Sequence, residues 1–382
     1  MIYLDNAATS YPKPVSVINA VKDAMTMYGA NPGRSGHTFS VKTAQSVYET
    51  RAILDEFFDG YGAENVAFTS NCTSALNTAI KGVLSQGDHV VISSLEHNSV
   101  VRPVHFLKEK GIINYSVFDV AETDEETLEN FRKVLESNTK LCVVTAVSNV
   151  FGRILPLRQM SQIAHDAGVL FFVDGAQGAG VIPISMRDMK LDCLCVPGHK
   201  GLLGPMGTGA LLHNGLDITP LTEGGTGSRS FELLQPDEYP DRLESGTLNV
   251  PGICGLKQGI RVVNLLGVEN IRKAENGICN EIYYGLKSIN GVKLYESNRD
   301  ENLYAPVLSF NIDGLHSERV ASLLDKKGVA VRGGYHCAPL AHISMGTRNT
   351  GTVRISPSFK TSKKDINILL NLVRKIAIND FI

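Results

Sequence analysis

Short apolar runs alternate with amphipathic stretches along most of this chain. Residues 66–69, 89–93, 114–118, 141–146, 169–173, 191–196 and 209–212 read as strands, several of them apolar without interruption. Between them, apolar positions at helical spacing predict helices over 73–84, 99–110, 124–136 and 157–167, and two more, 14–28 and 41–58, precede the first strand. Parallel neighbours need a crossover connection, so strands and helices in alternation predict an α/β architecture with a doubly wound, largely parallel sheet.

The texture changes after Asn249-Val250-Pro251-Gly252. An apolar helix over 253–266 and a charged one over 268–288 are followed by strand-like pieces at 307–312 and 328–332, and a terminal amphipathic helix over 364–377. At 382 residues the chain exceeds the size at which one core stops growing. The expected division is a large unit, 14–251, and a smaller α+β unit, 252–382, which the N-terminal segment 1–13 joins.

Charge and cysteine content narrow the function classes. The 37 Lys and Arg balance 39 Asp and Glu, which gives no electrostatic footprint for nucleic acid or an anionic membrane. The absence of a long apolar span, and an N-terminus without basic and apolar signal regions, predict a cytoplasmic protein acting on a small molecule. Seven cysteines without regular spacing read as free thiols, and no metal-ligand spacing is visible. Cys193 and Cys195 share one face of an expected strand and read as packing.

Chemistry enters at the expected strand ends. Asp174 closes one apolar run and Lys200, in Pro197-Gly198-His199-Lys200, follows another. A lysine that holds an aldehyde as a Schiff base, and a carboxylate that keeps a pyridine nitrogen protonated, are what pyridoxal 5'-phosphate (PLP) requires. Strand ends in a doubly wound sheet converge on one crevice, so the two side chains are expected to meet there. Ser70-Asn71-Cys72-Thr73-Ser74 opens a helix and could cradle a phosphate or simply cap the helix. His97 could stack on a cofactor ring or merely be solvated. Asn149 and Gln177 could donate to the ring oxygen or serve as turn formers.

Taken together, these residues resemble the class V aminotransferase-fold enzymes and, within them, the group II cysteine desulfurases and selenocysteine lyases. The likeness runs from Tyr3-Leu-Asp-Asn-Ala-Ala8 through Glu96-His97, Ser148-Asn149, Asp174-Gly-Ala-Gln177, Gly198-His199-Lys200 and Glu244-Ser-Gly-Thr247 to Arg332-Gly-Gly-Tyr-His-Cys337 and Thr352-Val-Arg354. It implies the type I fold of PLP-dependent transferases. Lys200 would be the Schiff-base lysine, Asp174 the partner of the ring nitrogen, Asn149 and Gln177 donors to the ring oxygen, and His97 the stacking histidine and proton relay. Cys72, Thr73 and His199 would lie at the cofactor, the last two on its phosphate, with Thr247 reaching the phosphate in a neighbouring subunit of a homodimer. Arg354 would clamp the substrate carboxylate, with Arg332 and Asn149 close to the substrate. Cys337 would take the substrate sulfur as a persulfide for a sulfur-acceptor protein, in an electropositive setting supplied by Arg332 and His336.

The implied activity is conversion of L-cysteine to L-alanine. The alternatives are selenocysteine cleavage, another class V reaction (amino transfer, epimerisation or β-elimination), and a non-catalytic sulfur-relay protein. Pro197, where relatives carry a small hydroxyl residue, and Gly33, where they often carry histidine, depart from the pattern. So do Tyr335 and the run from Pro339 to His342.

Overall fold

The structure, a computed structural model, describes residues 1–33 and 36–378; residues 34–35 of the expected large unit and 379–382 of the smaller one lie outside the described residues. In chain order the N-terminal part contains β1 (Ile2–Tyr3), α1 (Val15–Thr26), α2 (Thr38–Phe57), β2 (Val66–Thr69), α3 (Cys72–Val83), β3 (His89–Ser93), α4 (Asn98–Glu109), β4 (Asn114–Phe118), α5 (Asp124–Lys133), β5 (Thr139–Thr145), α6 (Leu157–Asp166), β6 (Leu170–Asp174), β7 (Cys193–Pro197) and β8 (Gly209–His213). There follow α7 (Val250–Leu266), α8 (Val268–Lys287), β9 (Val292–Leu294), β10 (Leu308–Ile312), α9 (Ser317–Asp325), β11 (Val329–Ala330), β12 (Arg332–Gly334), α10 (Pro339–Ser344), β13 (Thr352–Ile355) and α11 (Lys363–Ala377).

The large sheet has the order β2-β8-β7-β6-β5-β3-β4. All its pairings are parallel except those of β8, which runs antiparallel to both neighbours. Both faces are covered, which explains the unbroken apolar runs. Phe171, Val173, Leu194 and Val196 point into one core, while Phe172, Cys193 and Cys195 point into the other. The sulfurs of Cys193 and Cys195 lie 3.9 Å apart on one strand face.

A four-stranded antiparallel sheet, β12-β13-β10-β9, forms a separate layer. Phe310 and Val353 pack there against Tyr283 of α8 and Leu369 of α11. β1 pairs in parallel with β11, so the first residues are tied to this layer. The texture change near residue 250 marks the start of α7, yet α7 packs along α1 and α2 and buries Leu256 and Ile260 in the core of the large sheet. The change of packing layer therefore falls at Gly267, between α7 and α8.

Several short elements escape the sequence pattern. The expected strand 328–332 divides into β11 and β12, which join different sheets. In β13 the fully buried Arg354 interrupts the apolar run. Among the described residues, no helix is long and apolar enough to cross a membrane.

α8 also buries a carboxyl group. Glu275 accepts the amide hydrogen of Phe359 at 3.1 Å, and burial pushes its pKa from 4.5 up to about 8. A raised native pKa contributes stability that is complete below pH 4.5 and is lost as pH rises through about 8. Glu275→Gln should flatten that decline while preserving the acceptor. Urea unfolding midpoints between pH 4 and pH 8 check this, and an unchanged pH slope in the variant would contradict it.

Candidate active site

The carboxyl ends of β3, β5, β6 and β7, with the β2–α3 turn, surround one cavity. Asp174 is the last residue of β6, held beside Thr145 of β5 and Cys195 of β7 by the sheet register. The cavity is lined by Asp174, Ala176 and Gln177 after β6, by Pro197, His199 and Lys200 after β7, and by Asn149 after β5. Asn71, Cys72 and Thr73 at the start of α3, His97 and Ser99 after β3, and Thr145 at the end of β5 complete it. The structure thus brings together eight of the nine residues expected at the cofactor, Thr247 being the exception.

Local geometry fixes each side chain. Asp174 Oδ1 accepts the Ala176 N–H at 2.8 Å and the Cys72 thiol at 3.5 Å. Cys72 also reaches the Cys195 carbonyl at 3.3 Å, and burial holds its thiol well above its ordinary pKa, so it is a neutral lining group. Gly198 must lack a side chain, because a Cβ there would collide with Thr208. That close approach seats the loop carrying Lys200. Burial lowers the Lys200 pKa, partly offset by the Asp174 charge, which favours the free amine needed to attack a carbonyl carbon.

His97 caps α4 and accepts the Ser99 N–H at Nδ1 over 3.0 Å, leaving Nε2 to carry the proton. Ser99 Oγ lies 2.8 Å from both that nitrogen and Thr73 Oγ1, so a hydroxyl chain joins α3 to the histidine. Burial lowers the His97 pKa. The Asn149 amide donates to His336 O at 2.7 Å and the Gln177 amide to Ala7 O at 2.9 Å, and each keeps a second N–H.

Arg354 lies beside the cavity, donating to Asn149 O at 2.9 Å and pairing with Asp5 at 2.7 Å; its buried Nε has no partner. Cys337 is the one exposed cysteine among the described residues. Its loop is docked by the Asn98 N–H, which donates to Cys337 O at 2.7 Å. Cys337 lines a groove shared with Thr73, His97 and Ser99, all of which also line the inner cavity. His336 and Cys337 both have positive φ, 51° and 57°, a left-handed pair that costs about 1–2 kcal/mol per residue and holds the thiol outward.

One expectation is corrected. Arg332 approaches the Cys337 sulfur at 4.0 Å, but His336 supplies no positive charge. Its ring is buried, its Nε2 lies 3.0 Å from Thr352 O, and burial with the Arg354 charge lowers its pKa to about 2. A histidine with so little access to water stays neutral.

Thr247 does not reach the cavity of its own chain. It lines a separate surface pocket near Thr69, Ser70 and Thr208. The segment leading to it is anchored by Glu244, which takes Arg51 at 2.6 Å and the Phe68 amide at 2.5 Å. Pro197 lines the cavity, whereas Gly33 lies in another pocket with Arg51 and Asp241. Ser99 and Asp5 are further polar residues at the site, through His97 and Arg354 respectively; Ser99 carries no signal in the sequence, whereas Asp5 lies within Tyr3-Leu-Asp-Asn, the motif that could have marked it.

The chain matches the family model Aminotransferase class-V over residues 2–369. It is 32% identical over 385 residues to the probable cysteine desulfurase of Methanothermobacter thermautotrophicus, covering 98% of this chain and 94% of that protein. It is likewise 32% identical over 387 residues to the probable cysteine desulfurase of Pyrococcus abyssi, covering 99% and 94%. Among solved structures, the apo cysteine desulfurase from Thermococcus onnurineus NA1 superposes with a TM-score of 0.91 at 30% identity, over 99% of this chain and 95% of that one.

Proposed function

Because the chain belongs to the aminotransferase class-V family, we propose that it is a PLP-dependent cysteine desulfurase that converts L-cysteine to L-alanine and leaves the sulfur on Cys337 as a persulfide. The observation that carries this reading is the convergence of Lys200 and Asp174 on one cavity, with an exposed cysteine docked at its rim.

The residues present fit the cofactor. His199 Nδ1 and Asn149 Oδ1 are buried with no partner, as expected of groups that face a polar ligand. Burial lowers the His199 pKa to about 4, so the ring is neutral and can offer one N–H to a phosphate beside Thr73 and the positive end of α3. Lys200 would hold the aldehyde, Asp174 the ring nitrogen, Asn149 and Gln177 the ring oxygen, and His97 the ring face. When bound, PLP supplies an electrophilic carbon for amine capture and a ring that withdraws electrons from the substrate Cα.

The protein groups then divide the work. Lys200, as a free amine, takes the Cα proton, and His97 Nε2 is placed to move protons at the cavity mouth. Arg354 holds the substrate carboxylate, a task that a planar, permanently charged fork suits, with Arg332 on the same side. The Cys337 thiolate attacks the substrate sulfur: a sulfur–sulfur bond forms, the Cβ–S bond breaks, and the electron pair left on Cβ ends as a C–H bond of alanine. L-cysteine and a thiol thus give L-alanine and a persulfide, with no outside oxidant or reductant. The position of Thr247 outside its own cavity supports a homodimer in which each chain completes the other's phosphate site. The exposure of Cys337 supports delivery of the sulfur to an acceptor protein.

The purified protein incubated with L-cysteine should form alanine, with sulfide appearing in matching amounts once a reductant is added. Keto acid or racemised substrate without alanine would overturn the proposal in favour of another class V reaction.

A further inference from the structure

The N-terminal segment touches three sides of the cavity. Asp5 pairs with Arg354, Ala7 O accepts the Gln177 amide, and residues 9–13 converge on the carbonyl of His199, the residue before Lys200. That single carbonyl receives Ser10 N at 3.1 Å, Thr9 Oγ1 at 3.1 Å, Ser10 Oγ at 3.2 Å and Lys13 Nζ at 2.6 Å. A carbonyl oxygen has two lone pairs, so four donors exceed what it can serve fully. The shortest contact is the charged one, and charge-assisted hydrogen bonds are about twice as strong as neutral ones. Lys13 is also fixed by Ser10 Oγ at 2.7 Å, and its burial brings its pKa to about 8, so it stays largely charged at neutral pH.

We propose that Lys13 is a positioning residue for Lys200, holding the backbone from which Lys200 projects by gripping the His199 carbonyl and placing a fixed positive charge behind the cavity. The proposal rests on the reading of Lys200 as the cofactor lysine. A removed positive charge lets a nearby cationic nitrogen keep its proton to higher pH. The groups that act on Lys200, namely Asp174, Cys72, Arg354 and Arg332, and the histidines that feel its charge, His97 and His199, stay in place when Lys13 is changed; the Lys13 charge acts on His199, the residue before Lys200.

The test compares Lys13→Met, Lys13→Gln and Lys13→Arg. In the cofactor-loaded protein, Lys13→Met should lower kcat about tenfold, which corresponds to about 1.4 kcal/mol, with KM for L-cysteine nearly unchanged. It should also raise the pH midpoint of the visible absorption band. Lys13→Arg, which keeps charge and donor, should restore both, and Lys13→Gln should show the same midpoint shift if the methionine variant fails to fold. In the cofactor-free protein, amide exchange over residues 198–203 should accelerate about tenfold in the neutral variants. A wild-type band midpoint and exchange rate in these variants would overturn the role. So would a loss of activity that arginine does not rescue and that leaves the midpoint unmoved, since that pattern marks a simple clip on the N-terminus. A wild-type protein that never develops a visible band would indict the cofactor reading instead, while the exchange measurement still decides the part played by Lys13.

Discussion

Lys200→Ala is expected to give a folded protein that stays colourless with PLP and forms alanine from L-cysteine at least about a thousandfold more slowly. Two losses add here: the covalent attachment and the base for the Cα proton. The cavity itself should survive, since Asp174 is oriented by Ala176 N and Cys72 rather than by the lysine. Absorption spectra and single-turnover alanine formation check the result, with circular dichroism reporting the fold. A variant that kept the visible band would show that another amine holds the aldehyde.

Cys337→Ser is expected to separate sulfur from selenium chemistry. A hydroxyl is a poor nucleophile toward sulfur, so alanine formation from L-cysteine should fall at least about a hundredfold. Selenocysteine cleavage should survive within a few-fold, because a selenol leaves more readily and needs no persulfide. The side chain is exposed and the change conserves volume, so stability should shift by less than about 0.5 kcal/mol. Parallel assays with the two substrates check this, and desulfuration at the wild-type rate would remove Cys337 from the mechanism.

Much of this architecture is legible in the sequence because the parallel sheet is buried on both faces. Its strands therefore read as plain apolar runs ending in polar residues, and those ends, Asp174, Asn149, His97 and Lys200, are where the cavity forms. The second layer is less legible. β13 carries a buried arginine in an apolar strand, and β11 and β12 are too short to show a period. The site follows the same division. Residues at strand ends stand out by position, each with a bland alternative that only the likeness to known enzymes decides, whereas Cys337, Arg354 and Thr247 depend on that likeness altogether, since loops carry no periodic signal. His336 shows the limit of a motif read as a string: its neighbour Cys337 faces solvent, but the backbone turn sends the imidazole into the protein, where it cannot charge. The convergence of residues 9–13 on the His199 carbonyl lay beyond sequence reasoning, because it joins positions about 190 apart along the chain.

The most direct test is the mass of the peptide containing Cys337 after the wild-type protein, loaded with PLP, has been exposed to L-cysteine without reductant. The account predicts that this peptide gains one sulfur atom, that the gain vanishes on reduction, and that it is absent from Lys200→Ala. Alanine produced in amounts exceeding the protein while Cys337 stays unmodified, or a sulfur found on another cysteine, would contradict it.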